Sequence, residues 1–288
     1  MERSIKSHGV GASVLRKEDD RHLRGRGKFV GDIQPAGTRH IAFLRSPVAH
    51  GDLRSVSIPT AYRDQVFVAS DLQAVTPIRA GSSLPGFKPS DQPVLVHDKI
   101  RHVGELIAMC VADTRAEAED VVDAIEIEIE ELPVVSDMIA ARENDAPLVH
   151  EAWGDNVFLT TDFDQDLDPI VAQAAASVSR SIRTSRHFHE SPRGTRCACK
   201  LGQQARTICG LHLDAKTAYC AHRTLRMSGH RTCTDPGVVA PDVGGGFGYK
   251  GILLPRRSAS AGRPNSWDTR SNGWKMGREN LTASTNCL

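Results

Sequence analysis

Residues 106–130 hold three secondary-structure patterns in immediate succession, and no other part of the chain restricts the fold so tightly. LIAMCVA at 106–112 is a continuous apolar run, the pattern of a buried strand. Thr114 and Glu117 then stand at the spacing of a capping box, with Thr at the N-cap and Glu at N3 of a helix. Ala118, Val121 and Val122 give that helix an apolar stripe. Ile125, Ile127 and Ile129 next alternate with Glu126, Glu128 and Glu130, the period of a half-buried strand with isoleucines inward and glutamates outward. Strand, capped helix and strand in so short a span predict a fold of mixed α and β elements, in the α+β or α/β manner. The glutamate row has the side chains of a metal site, but period-2 patterning already accounts for it as a solvated sheet face.

Other segments agree with this texture up to residue 192. Residues 40–44 (HIAFL) form an apolar run ending at Arg45-Ser46-Pro47, a predicted strand and turn. From Arg193 to Pro236 the texture changes: valine and glutamate vanish, Tyr219 is the one aromatic residue, and arginine, threonine, cysteine and histidine replace them. No period of 2 or 3.6 is sustained there. Residues 237–255 are orderly again, 256–277 irregular, and 278–287 orderly once more.

The chain has 288 residues, enough for about two domains of ~150 residues. Its formal net charge of +1 gives no reason to expect nucleic acid or an anionic membrane as a partner. No apolar run approaches the ~20 residues of a membrane span, and the polar start of the sequence carries no apolar signal core. A cytoplasmic protein is the expectation. Seven cysteines, an odd number without a signal peptide, argue against a disulfide framework.

The N-terminal part resembles a known family. Residues 9–33 (GVGASVLRKEDDRHLRGRGKFVGDI), 40–50 (HIAFLRSPVAH) and 101–133, with Val103-Gly104-Glu105, are similar to the opening of the large, molybdenum-cofactor-binding subunits of the molybdenum hydroxylases: xanthine dehydrogenase, aldehyde oxidase and aerobic carbon monoxide dehydrogenase. That family usually has Pro after the Gly-Glu pair, where this chain has Leu106. The resemblance implies an N-terminal extension at 1–24, an α/β hammerhead domain at 25–137, a connector at 138–192 that includes PLVHEAW at 147–153, and an incomplete, disrupted molybdopterin-binding domain at 193–288.

A second motif, VAPDVGGGFGYKG at 239–251, resembles the family's cofactor loop. Glycines suit such a loop because a bulky pterin-phosphate must approach the main chain, and residues without Cβ permit both that approach and left-handed backbone conformations. The resemblance therefore implies Gly244, Gly245, Gly246, Phe247 and Gly248 as cofactor contacts, with molybdenum-molybdopterin as the cofactor. It further implies an iron–sulfur small subunit and an FAD medium subunit as partners, and a small-molecule substrate: an aldehyde, an N-heterocycle or carbon monoxide, with water as the oxygen source. No catalytic residue and no metal ligand is assigned. The family's Gln near the metal would fall around residues 213–216, where this sequence lacks it, and the family's catalytic glutamate lies beyond Leu288.

Back-translation suggests why. A one-base offset converts Cys209 to Thr217 into Val-Val-Tyr-Thr-Ser-Thr-Gln-Lys-Pro, a family-like segment that holds the missing Gln. The opposite offset converts Ser271 to Met276 into Val-Lys-Trp-Met-Glu-Asp. The irregular stretches thus read as frameshifts, the chain is expected to be inactive, and residues from 193 onward are expected to be poorly ordered apart from a strand at Val238 to Ala240 and the glycine loop. The rival reading is a non-catalytic hammerhead binding module with a zinc-binding or disordered tail. Cys197, Cys199, Cys220, His222, His230 and Cys233 have zinc-type side chains, but no paired CxxC and no finger spacing. Ser191 with His187 and His189 lacks an identifiable third partner for nucleophilic catalysis.

Overall fold

The structure is a computed structural model and describes residues 9–10, 12–33, 37–72, 75–162, 166–184, 196–201, 207–213, 231–245 and 270–274. In chain order the elements are α1 (Asp19–Leu23), β1 (Thr38–Arg45), β2 (Gly51–Ser57), β3 (Val66–Phe67), β4 (Ile78–Arg79), β5 (Asp91–Gln92), β6 (Lys99–Ile100), β7 (Leu106–Ala112), α2 (Arg115–Asp123), β8 (Glu126–Glu131), α3 (Asp168–Ala172), β9 (Arg196–Leu201), β10 (Thr207–Leu213), β11 (Arg231–Val239) and β12 (Arg270–Trp274).

The strand–helix–strand unit forms as its sequence predicts. β7 is buried at every position, because in a seven-stranded sheet of order β11-β10-β9-β12-β1-β7-β3 it lies between β1 and β3 and is covered on both faces. Both bonds of the capping box are made: Glu117 N donates to Thr114 Oγ1 at 3.2 Å, and Thr114 N donates to Glu117 Oε2 at 2.9 Å. β8 pairs antiparallel with β2 in a second sheet of order β6-β2-β8. Its isoleucines are half-buried and its glutamates exposed, as period-2 patterning requires. Glu130 pairs with Arg54 across that ladder.

The two faces of β7 pack differently. Met109 and Val111 stand opposite Phe43 and Ile41 of β1 and join them, with Phe67, Leu72, Val94 and Leu95, in the largest apolar cluster. On the other face Ala108 and Cys110 meet Val121 and Ile125, while Ala112 and Ala42 meet Ala118 of α2. Small side chains on this face let the helix lie close to the sheet. Burial also pushes the Cys110 thiol up to about 12. Every buried apolar residue among those described lies between Val30 and Ile125.

The segment after β8 returns to this core. Lys88 N donates to Phe158 O at 2.7 Å, Lys88 Nζ to Asp155 Oδ1 at 2.6 Å, and Trp153 Nε1 to Pro89 O at 3.2 Å.

From residue 193 onward, where order was expected only for a strand at Val238 to Ala240 and for the glycine loop, the structure describes four strands, and the expected strand is the end of β11. β12 pairs in parallel with β1. β9 and β10 continue the sheet antiparallel, and β11 closes it in parallel with β10. Side-chain periodicity reports burial, whereas a ladder needs only backbone donors and acceptors, and the open edge of β1 supplies a template for them. Pro236 is tolerated because β11 is an edge strand and its register with β10 shifts between Ile208 and Gly210. Ser191, His187 and His189 lie outside the described residues.

Candidate functional site

Two of the segments that carry the resemblance meet in a buried polar knot. Ser46 and Glu105 are both buried. Ser46 N donates to Glu105 O at 2.8 Å, Gly104 N to Ser46 O at 2.9 Å, and Arg45 Nη1 to Gly104 O at 2.8 Å. The Glu105 carboxylate accepts from Arg101 N at 2.7 Å. Gly104 has φ 78°, a left-handed conformation that favours glycine. Arg-Ser-Pro and Val-Gly-Glu are therefore structural partners here, fixing the turn after β1 against the entry to β7.

The glycine segment leaves the end of β11. Of the five expected cofactor contacts, Gly244 and Gly245 lie within the described residues, and Gly246, Phe247 and Gly248 lie outside them. Gly244 is exposed, and Gly245 has φ 108°, which L side chains rarely adopt. Bare, accessible main chain at these two positions fits the approach of a bulky anionic group.

Asp242 anchors the segment just before the glycines. Its N–H donates to Lys28 O at 2.9 Å, and its Oδ2 accepts from Lys28 N at 2.7 Å. Phe29 and Asp242 form an isolated parallel bridge. Arg21 grips the same carboxylate with both terminal nitrogens, Nη1 reaching Oδ2 at 2.8 Å and Nη2 pairing with Oδ1. His22 Nε2 stands 3.4 Å from Oδ2. The Lys28 N–H donating into the carboxylate holds Asp242 below the usual carboxylate range against its own desolvation, with His22 and Arg21 adding to the effect.

Local sequence explains the geometry. Gly25, with φ 67°, ends the short helix α1 and turns the chain back. Gly27 brings the main chain so close that a Cβ would meet His22 Cδ2 at 3.1 Å and Asp242 Oδ2 at 3.5 Å. The sequence had pointed to the glycines but not to Arg21, His22 or a role for Asp242. Their only signal is the chemistry of a basic segment, residues 21–28, with an acid far away in sequence. Among the described residues no three His, Cys, Asp or Glu side chains group as a metal site. The side chains of the cysteine-rich stretch lie outside the described ones.

Comparison with known proteins identifies the N-terminal domain. Residues 24–133 match the aldehyde oxidase and xanthine dehydrogenase a/b hammerhead domain. Those residues are an a/b hammerhead domain of the aldehyde oxidase and xanthine dehydrogenase type. The chain is similar to the nicotine 6-hydroxylase large subunit of Paenarthrobacter nicotinovorans, with 30% identity over 91% of this chain and 34% of the relative. It is also similar to the nicotinate dehydrogenase large molybdopterin subunit of Eubacterium barkeri, with 30% identity over 49% of this chain and 32% of the relative. Among solved structures, quinoline 2-oxidoreductase from Pseudomonas putida 86 superposes with a TM-score of 0.83 at 30% identity, covering 98% of this chain and 36% of that one. The chain spans about a third of the length of the curated relatives it matches. No helix among its described residues is long and apolar enough to cross a membrane.

Proposed function

We propose that this chain is part of the molybdopterin-binding large subunit of a cytoplasmic molybdenum hydroxylase. The observation that carries the reading is the glycine segment: a motif resembling the family's cofactor loop stands next to a hammerhead domain, with Gly244 exposed and Gly245 in a glycine-favouring conformation. Gly244 to Gly248 would line the cofactor, their main-chain N–H groups facing its anionic portion. When bound, the cofactor supplies a two-electron acceptor for hydroxylation of a carbon centre, or oxidation of carbon monoxide, with oxygen taken from water. The chain's own residues contribute binding and orientation. Iron–sulfur and FAD subunits would carry the electrons away. The substrate is a small molecule of the aldehyde, N-heterocycle or carbon monoxide class. We assign no catalytic residue, and turnover by this chain alone is not expected.

The irregular stretches at 193–236 and 256–277 are, in this reading, large-subunit sequence translated out of frame. The test is analysis of the full chain produced in a host that makes the cofactor. Molybdenum together with a pterin supports the proposal. Stoichiometric zinc without pterin overturns it in favour of a zinc-binding tail, and neither group overturns cofactor binding by this chain.

A further inference from the structure

We infer that Arg21 is a positioning residue for the glycine segment, acting through Asp242: it fixes the carboxylate against the main chain of Lys28 and neutralises its charge, so that the glycine amides beyond can receive a phosphate-bearing pterin. The inference rests on the cofactor reading above for its ligand and on geometry for the rest.

Four observations converge. First, the contact joins residues 221 apart, yet it is bidentate and is supplemented by the Lys28 N–H and by His22. Exposed ion pairs with a single bond contribute little, but the Asp242 side chain is only 7% exposed, so its charge is largely removed from water and needs partners. A planar guanidinium fork matches a carboxylate in a way a lysine cannot. Second, Asp242 is tied at both its amide and its carboxylate to the same residue, Lys28, which sets the direction of the chain as it enters Val243 and Gly244. Third, a carboxylate just ahead of a loop built to face an anion is electrostatically adverse. An unneutralised Asp242 would repel a phosphate on the amides of Gly244 and Gly245. Fourth, the segment that supplies Arg21 is itself basic: Arg26 and Lys28 are exposed in it, so the surroundings of the pair favour an anion.

Two roles for Arg21 are separable by mutation. If it only packs or adds a surface ion pair, removing its charge changes nothing specific. If it positions and neutralises, Arg21→Gln leaves a little-exposed carboxylate beside the loop without its guanidinium partner. Arg21→Gln/Asp242→Asn removes that charge while the Asn carbonyl can still accept from Lys28 N.

The experiment uses the full chain with two readouts. Amide hydrogen exchange at Lys28 and Asp242 reports the clamp directly, since the first amide is bonded to the Asp242 carboxylate and the second to Lys28 O. Pterin released from the purified chain, measured by fluorescence, reports the ligand. Arg21→Gln is expected to lose protection at both amides, with Met109 and Val111 in β7 unchanged, and to lose pterin. Arg21→Lys, which keeps the charge without the fork, is expected to fall between. The double variant is expected to regain pterin relative to Arg21→Gln. Unchanged protection in Arg21→Gln overturns the inference, as does a double variant that carries no more pterin than the single one. A wild-type chain without pterin overturns the cofactor reading instead, and the exchange result then decides whether the clamp exists.

Discussion

Replacing Ala118 by Leu tests whether α2 lies on the sheet as closely as its small contact residues require. Ala118 has no exposed surface, and Ala42 and Ala112 are 3% and 4% exposed. The substitution adds three carbons. If they found space, burying them would stabilise the fold by about 2 kcal/mol at ~0.8 kcal/mol per methylene. They have none, because α2, β1 and β7 close on this point, where Val122 also packs, and the sheet residues Ala42 and Ala112 already carry the smallest side chains with a Cβ. Overpacking then dominates, at a net cost of about 1–3 kcal/mol. Ala116→Leu, at an exposed position of the same helix, makes the same chemical change and should stay within about 0.5 kcal/mol of the parent. The assay is urea unfolding of the full chain, followed by alkylation of Cys110 read at the peptide level by mass spectrometry. Cys110 is buried on the β7 face that meets α2, so its labelling reports opening of that layer. For a slope near 2 kcal/mol/M, a 2 kcal/mol loss lowers the midpoint by roughly 1 M. A midpoint for Ala118→Leu equal to or above that of Ala116→Leu would refute the packing argument.

Further predictions follow from single contacts. Thr114→Ala removes the side chain that accepts from Glu117 N and should cost about 1 kcal/mol, measured by the same urea series. Gly51→Ala puts a Cβ 2.7 Å from Ile129 Cγ2 and 2.8 Å from Glu130 O in the β2–β8 ladder, and should destabilise the fold by about 1–3 kcal/mol. The Cys110 thiol should stay unmodified by a thiol reagent at pH 8 in the native chain and react on unfolding, because burial holds it up to about 12. Acid should weaken the contact of the 147–158 segment with the core. Desolvation, then Arg101 and Lys99, hold His150 below its ordinary 6.5 against the opposing pull of Glu151, so the unfolded chain takes up that proton first. Stability is lost as pH falls below 6.5 through the folded value. Glu151, held below 4.5 chiefly by its bond with Lys99, has the same sign in a more acid window. Fluorescence of Trp153, whose ring lies 4.3 Å from that of His150, should track the change.

Much of the hammerhead was legible because its signals are local. LIAMCVA coincides with β7, the capping box makes both its bonds, and the Ile–Glu alternation sorts into half-buried and exposed positions. These patterns encode burial, and burial is what the sheet delivers. Apart from the end of β11 at Val238 and Val239, the strands from Arg196 onward were not legible, because they are placed by backbone pairing on an existing edge and their sequences carry no period. The glycine segment could be found from its resemblance and its glycines. Its anchor could not: Arg21 and Asp242 are one ion pair among many possible, and nothing along the sequence says that residues so far apart share a bridge.

In the proposed reading residues 9–192, 237–255 and 278–287 are parts of one large-subunit sequence, and the stretches at 193–236 and 256–277 are the same sequence out of frame. The most direct measurement is the nucleotide sequence across the codons for Pro192 to Arg278. The frame offset by one base is expected to encode Val-Val-Tyr-Thr-Ser-Thr-Gln-Lys-Pro over Cys209 to Thr217, and the opposite offset Val-Lys-Trp-Met-Glu-Asp over Ser271 to Met276. Stop codons in those offset frames, or residues unlike these, would contradict it and leave the cysteine-rich stretch as the sequence this chain is meant to have.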